Sequence, residues 1–317
     1  MSCYRVALTV GILFFVNFVS TMGQTPRLAV NLYKEGNHKL VRGDLDGAIA
    51  DFTQAIEISS RLKPTRKEGS LPRTNGFVNS ASETTEITVV DPLTADAYTS
   101  RGLARYQKSD IDGAIGDWDR AIRINPGLAV AYLDRGTGRL AKGDREGALA
   151  DLDRALTINP RLADAYSNRG AIRQELGDLE TAFADLNKSI ALDTHNPKTY
   201  CLRGYSWIDR RDYQRAISDF DSAIKLDPTT AWAYQGRGTA RMNSNEIEAA
   251  IADFGQALEL DSKFTNAYLN RGLALLLLGK DAEAERDLAH ALALQPTIKD
   301  ELDGRVRFAK KLRAVRR

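Results

Sequence analysis

The chain is poor in the residue types that most often carry chemistry. Its 317 residues include only two cysteines and three histidines. Cys3 lies in the N-terminal leader, so the mature chain has no second thiol for Cys201 if that leader is removed, and the fold must be stabilised by packing. We expect Cys201 to be a small apolar helix residue, with a reactive thiol as the alternative.

Neither sign of charge is in clear excess. The chain has 44 lysines and arginines against 42 acidic residues, a formal net charge of +2. A nucleic-acid-binding protein usually carries a marked basic surplus, so no nucleic-acid partner is expected. With 43% hydrophobic and 27% charged residues, the composition is that of an ordinary folded protein rather than a disordered one.

Long hydrophobic runs are absent after the first residues. The run from Val6 to Val19 follows Arg5 and is shorter than the roughly 20 residues that a membrane-spanning helix needs. Gly23 is a small residue before a possible cleavage point, which would leave Gln24 as the new N-terminus. Residues 1–23 are therefore predicted to be a secretory signal peptide, or alternatively an uncleaved anchor. Either would export the body of the chain, to be periplasmic, secreted or membrane-anchored facing outside.

A period of 34 residues organises most of the remainder. The dipeptide Arg-Gly recurs six times in steps of 34 residues, with its glycines at Gly102, Gly136, Gly170, Gly204, Gly238 and Gly272. Each glycine follows a tyrosine by four residues. It is followed by an alanine at the twelfth residue, a large apolar residue at the sixteenth and a small residue at the nineteenth. Proline closes four of the repeats, and Thr194 and Ser262 take its place in two.

Each repeat contains two apolar stripes at helical spacing, separated by a turn. In one repeat the pattern predicts helices over Ala163–Glu175 and Leu179–Leu192, with Gly177 in the left-handed conformation and Asp178 capping the second helix. A lone hairpin of this kind cannot bury its apolar face, so neighbouring hairpins must stack.

The period and the Tyr, Gly, Ala, aromatic or Leu, Ala, Pro pattern resemble the tetratricopeptide repeat. The resemblance covers residues 95–298 as six contiguous units and 24–62 as an earlier unit, which has Glu35 where the others have arginine. It implies an all-α, right-handed superhelical solenoid of antiparallel helix hairpins. It also implies a non-catalytic protein whose concave groove binds an extended peptide or a partner helix.

The resemblance further indicates which residues would face that groove. These are the positions two and three before each glycine, and one, four and five after it. Among them are Asp134, Asn168, Gln174, Glu175, Tyr205, Asp209, Gln235, Thr239, Asn243 and Asn270. Some members of the family bind the terminal carboxylate of a peptide through lysines and asparagines in the groove. Only Lys34 and Asn37 resemble such a site here, so binding of a terminal carboxylate is not expected.

An acidic row accompanies the arginines of the Arg-Gly dipeptides. An aspartate lies fifteen residues after each of the six glycines, from Asp117 to Asp287. Because the planar guanidinium fork suits a carboxylate on a neighbouring helix, we predict a ladder of Arg–Asp pairs. The alternative is a row of arginines available to anionic ligands.

Two segments depart from the repeat. Residues 63–94 are polar, contain three prolines and show no helical period. They are predicted to be a linker or insert in the place of about one repeat, or alternatively a loop that folds over the groove. Residues 299–317 are predicted to form an amphipathic helix that caps the last repeat through Leu302, Val306 and Ala309.

That terminal helix also suggests a second function. From residue 304 to residue 317 the chain has seven basic residues and no acidic one, so it could contact anionic lipid or polymer.

No catalytic or metal-binding pattern is present in the sequence. The three histidines, His38, His195 and His290, fall in different repeats, and no nucleophile-elbow or phosphate-loop motif occurs. The sequence therefore predicts no enzyme, metal or cofactor. It favours an interaction scaffold for a protein or peptide outside the cytoplasm, with an envelope-polymer or membrane-surface binding module as the alternative.

Overall fold

The computed structural model describes residues 24–61 and 92–316. The predicted signal peptide and most of the predicted insert lie outside these residues. Within the described part, the chain forms fifteen α-helices and one 3₁₀ turn and no strand. The predicted all-α fold of antiparallel hairpins, with an additional C-terminal helix, is confirmed.

The chain divides into two compact bodies, which meet in sequence between Pro160 and Arg161. The N-terminal body contains three hairpins of consecutive helices. Their bounds are α1 (Gln24–Arg42) and α2 (Leu45–Arg61), α3 (Pro92–Gln107) and α4 (Ile111–Ile124), and α5 (Ala129–Ala141) and α6 (Arg145–Ile158).

The C-terminal body contains four hairpins and the terminal helix. The hairpins are α7 (Ala163–Glu175) with α8 (Leu179–Leu192), α9 (Pro197–Asp209) with α10 (Tyr213–Leu226), α11 (Ala231–Asn243) with α12 (Ile247–Leu260), and α13 (Thr265–Leu277) with α14 (Asp281–Leu294). A 3₁₀ turn at Pro296–Ile298 leads into α15 (Lys299–Arg316).

The turn inside each hairpin ends one helix and caps the next. Gly177 adopts a φ of +81°, the left-handed conformation that glycine reaches without steric cost. Asp178 then accepts a hydrogen bond from the backbone of Thr181 at the start of α8. The predicted roles of this glycine and this aspartate are confirmed.

The repeated glycine lets the two helices of a hairpin approach closely. A Cβ atom at Gly204 would lie 2.8 Å from the ring of Phe220, far inside van der Waals contact. Phe220 is fully buried and shares its cluster with Ala216, Ala223 and other small residues. The large side chain thus fills the space that the small residues leave, which explains the pattern of the sequence repeat.

The first hairpin packs directly on the second. Helix α2 contacts α3, and Arg101 on α3 donates a hydrogen bond to Thr53 on α2. The two hairpins that flank residues 62–91 in the sequence are therefore neighbours in the structure. Helix α3 also begins at Pro92, inside the segment 63–94 assigned to the insert, because proline suits the first turn of a helix and Leu93 is buried.

The terminal helix α15 packs against α13, as the cap prediction requires. Leu302 and Ala309 are buried in one cluster with Leu269, Leu273 and Leu276 of α13. None of the described helices is long and apolar enough to cross a membrane.

Candidate functional site

The predicted Arg–Asp ladder is present in all six hairpins that carry the Arg-Gly dipeptide. In the second hairpin, Arg101 donates from Nε to Asp117 at 2.9 Å and from Nη2 to the other oxygen at 2.8 Å. The same two-pronged pairing joins Arg135 to Asp151, Arg169 to Asp185, Arg203 to Asp219, Arg237 to Asp253 and Arg271 to Asp287. We call each such pair a clamp. The alternative of a row of free arginines is wrong, because each guanidinium is paired with the aspartate of its own hairpin.

Several clamps also reach the preceding hairpin. Arg135 donates from Nη1 to Asp119, and Arg237 donates from Nη1 to Asp221, both at 2.6 Å. Each guanidinium lies over the tyrosine three residues before it, at 5.5 Å from the ring centroid for Arg237 and Tyr234. Where the preceding hairpin supplies an acceptor, the clamp therefore stabilises the stacking of the two hairpins.

The first helices of the C-terminal body line an open cleft of about 420 Å³. Its walls include the stacked rings of Tyr205 and Trp232, whose centroids are 5.1 Å apart. Gln174 and Asn266 line the same cleft. The cleft thus combines an aromatic surface with carboxamide groups that can both donate and accept hydrogen bonds.

A chain of hydrogen bonds runs from this cleft towards the C-terminus. The Tyr205 hydroxyl donates to Gln235 Oε1, and Gln235 Nε2 donates to Thr239 Oγ1 at 3.2 Å. Asn270 donates to the same Thr239 oxygen at 3.4 Å and accepts from Arg305 of α15 at 3.0 Å. Four of the predicted groove residues are thereby fixed by one another, which preorganises this surface.

Of the other predicted groove residues, some line the same cleft and some lie elsewhere. Gln174 and Glu175 line the cleft together with Tyr205 and Gln235. Asn168 accepts a hydrogen bond from Lys198 at 3.1 Å. The rest lie elsewhere: Asp209 and Asn243 are exposed and do not line the cleft, and the half-buried Asp134 belongs to the N-terminal body.

Sequence reasoning missed several residues of the cleft. Trp232 and Asn266 each lie six residues before their repeat glycine. For Trp232, this is one helical turn before Gln235 on the same face of α11. Extending the groove stripe by one turn would have identified both residues. Leu202 and Phe264 complete the apolar part of the lining.

Burial accounts for the altered proton affinity of two groups near the cleft. Cys201 is fully buried, and burial raises the pKa of its thiol to about 12, with Asp219 and Asp227 acting in the same direction. The inert, apolar role predicted for this cysteine agrees with that environment. Burial likewise raises the pKa of Tyr205, so its hydroxyl is a neutral donor to Gln235.

Metal binding has no support in the described part of the chain. Across residues 24–61 and 92–316, no three or more histidine, cysteine, aspartate and glutamate side chains are grouped so that they could hold a metal ion.

The hairpins, their 34-residue period and the clamps define a class of helical repeat array. Within that class, two sequence-family models identify the repeat. The model described as "TPR repeat" matches residues 139–177 and 238–279, and the model described as "Tetratricopeptide repeat" matches 163–196, 197–230 and 265–298. The chain therefore contains tetratricopeptide repeats. No curated protein sequence shows significant similarity to it.

Solved structures share the fold at low sequence identity. A tetratricopeptide repeat protein from Parabacteroides merdae is 17% identical, with a TM-score of 0.58 over 90% of this chain and 99% of that one. The Cut9–Hcn1 hetero-tetramer of the APC/C gives 17% identity and a TM-score of 0.61, over 92% of this chain and 58% of that one. PilW, a type IV pilus biogenesis factor, is 17% identical, with a TM-score of 0.57 over 64% of this chain and 94% of that one. At this identity the likeness establishes the fold alone.

Proposed function

We propose that this protein is a non-catalytic scaffold whose cleft binds an extended segment of a partner protein. The cleft beside Tyr205 and Trp232 is the observation that carries the proposal. Cut9, one of the structures that share the fold, is solved as an assembly with a second protein, Hcn1, which is consistent with a scaffold role.

The chemistry of the cleft indicates the kind of segment that it would accept. The aromatic pair offers a flat apolar surface for an aliphatic or aromatic side chain. The carboxamides of Gln174 and Asn266 can pair with the backbone N–H and C=O groups of an extended chain. Glu175 is the one acidic residue in the lining, so we expect a segment with a basic residue next to its apolar anchor to fit best.

Selection from a random peptide library by the full chain tests this proposal. The blocking variant is Gln174→Arg with Asn266→Arg, because both side chains line the cleft and arginine would fill it without removing a core residue. The matched control is Gln214→Arg, an exposed residue of the second helix α10. We expect selected peptides to bind the wild type and the control, and to lose at least about tenfold in affinity for the blocking variant.

Equal binding of the selected peptides to all three proteins would contradict the cleft assignment. An unaltered thermal unfolding profile of the blocking variant is needed to show that lost binding reflects the cleft and not the fold.

A second candidate function rests on the terminal helix. Phe308 is 67% exposed and Val315 is 78% exposed, and Arg307, Lys310 and Lys311 are exposed beside them. Arg313 is paired with Asp281, so only part of the basic charge would be available to an anionic surface or envelope polymer.

Co-sedimentation of the full chain with anionic vesicles tests this second function. Binding through α15 should fall as salt is raised and should be reduced in Lys310→Gln with Lys311→Gln. Salt-independent binding, or binding that the double variant retains, would exclude it.

We also propose that the chain is exported, on the basis of the leader-like sequence over residues 1–23. N-terminal sequencing of the protein purified from its native source should then begin at Gln24. Intact Met1 in a cytoplasmic fraction would contradict export.

A further inference from the structure

The last clamp lacks an acceptor that several other clamps have. Residue 255 occupies, in the 34-residue period, the position of Asp119, Asn187 and Asp221. Each of these three accepts a hydrogen bond from Nη1 of the arginine sixteen residues later. Here the residue is Gly255, which has no acceptor side chain.

The consequence is an arginine with an unused donor. Arg271 uses Nε and Nη2 for Asp287, and among the described residues no group accepts from its Nη1. That atom faces Gly255, lying 3.8 Å from where a Cβ would stand. Arg271 also lines a cavity of about 440 Å³ between α12, α13 and α14.

A second arginine lines the same cavity. Arg286 occupies a position where the other five Arg-Gly repeats have glycine, alanine or serine. Its guanidinium has no ion pair with another described residue. The other charged residues in the lining are Glu283 and the clamped Asp287.

We propose that this cavity binds an oxyanion, a carboxylate or phosphate group, between Nη1 of Arg271 and the guanidinium of Arg286. The bound oxygen takes the place that a carboxylate oxygen of Asp119 or Asp221 takes in the other clamps, where the bond is 2.6 Å long. Two arginines around one oxyanion are a common arrangement because each guanidinium offers several N–H donors. This site is separate from the cleft proposed above and does not depend on it.

Glu283 is a competing carboxylate in the lining, and its charge already acts on Arg271. Its nearest basic partner is Lys280, at 3.8 Å. Removing this charge in Glu283→Gln should therefore tighten oxyanion binding, because the repulsion between two negative groups is lost.

The test is a titration of the isotopically labelled full chain with inorganic phosphate, and separately with acetate, at constant ionic strength against chloride. Nuclear magnetic resonance shifts of the Gly255 amide and the Arg271 Nε–H are the readout. The key variant is Gly255→Asp, which supplies the missing acceptor from within the chain. Gly255→Ala is its matched control, since a Cβ meets only an ordinary contact there.

We expect saturable shifts with phosphate or acetate in the wild type and in Gly255→Ala, and none in Gly255→Asp. Arg286→Gln should weaken the apparent affinity about tenfold, the loss of one charge-assisted hydrogen bond. If only phosphate, or only acetate, causes saturable shifts, the natural ligand group is a phosphate or a carboxylate, respectively. Shifts that persist in Gly255→Asp, appear only on α15, or are absent from the wild type would overturn the proposal.

Discussion

At the scale of single residues, the clamp is the dominant polar feature of this protein. Asp253 is only 4% exposed, and it accepts hydrogen bonds from both Arg237 and Arg241. Asp219 accepts from Arg203, but Trp207 stands where a second arginine would be. Since a buried charge is costly when it loses its partner, the two aspartates should respond differently to neutralisation.

We predict that Asp253→Asn lowers the free energy of unfolding by about 3 kcal/mol, since Arg241 loses its carboxylate partner and Arg237 keeps only the exposed Asp221. Asp219→Asn should cost about 2 kcal/mol, because one arginine is left and it is still bonded to Asn187. Chemical denaturation of the two variants beside the wild type measures both values. A larger loss for Asp219→Asn would contradict this account.

Cys201 provides a second prediction at this scale. Its thiol is ordinarily expected to ionise near pH 9.0, but burial raises the pKa to about 12. A thiol reagent at pH 8 should therefore leave the folded chain unmodified and react after unfolding. Because the folded state binds the proton more tightly, the contribution of Cys201 to stability is complete below pH 9.0 and is lost as pH rises towards 12. Rapid labelling without denaturant would show that the site opens.

At the scale of helices, the turns show which parts of the fold can be predicted. The predicted bounds Ala163–Glu175 and Leu179–Leu192 match α7 and α8 residue for residue. This is because Gly177 ends the first helix and Asp178 caps the second, and both residue types are recognisable in the sequence. The turn between α9 and α10 has Arg211 in the same left-handed conformation, at a φ of +59°. A non-glycine residue there is strained.

We predict that Gly177→Ala destabilises the protein by about 1 kcal/mol, because alanine is strained at this φ although no atom blocks its Cβ. Arg211→Gly should act in the opposite direction, gaining about 0.5 kcal/mol after the entropy of the new glycine is subtracted. Thermal unfolding of the two variants checks both signs. A gain from Gly177→Ala would show that the turn adopts another conformation in solution.

At the scale of the molecule, sequence reasoning fixed the repeat and missed part of the cleft. The period, the clamps and the cap follow from residues at fixed offsets within one repeat. The cleft joins side chains of four first helices. Trp232 and Asn266 were missed because the predicted groove positions began three residues before each glycine, one helical turn short of both. Asn270, predicted to face the groove, is 6% exposed and bonded to Arg305, because α15 covers the apolar face of α13.

We predict that removing α15 by truncation after Gln295 exposes Leu269, Leu273 and Leu276, which now pack on Leu302 and Ala309. The truncated chain should unfold at lower temperature and bind a hydrophobic dye more strongly. A matched control, Arg307→Gln with Lys310→Gln, keeps the apolar contacts and should behave as the wild type. Identical dye binding by truncated and full chains would contradict the capping role.

The clamps that reach backwards also determine how the array would come apart. Arg135 and Arg237 each hold two successive hairpins together, so peeling one hairpin from the next breaks a fork of hydrogen bonds along with the apolar contact. At the junction before the last hairpin, Gly255 has no side chain to accept the corresponding hydrogen bond from Arg271. Under a pulling force, this joint would therefore be the first in the C-terminal body to open.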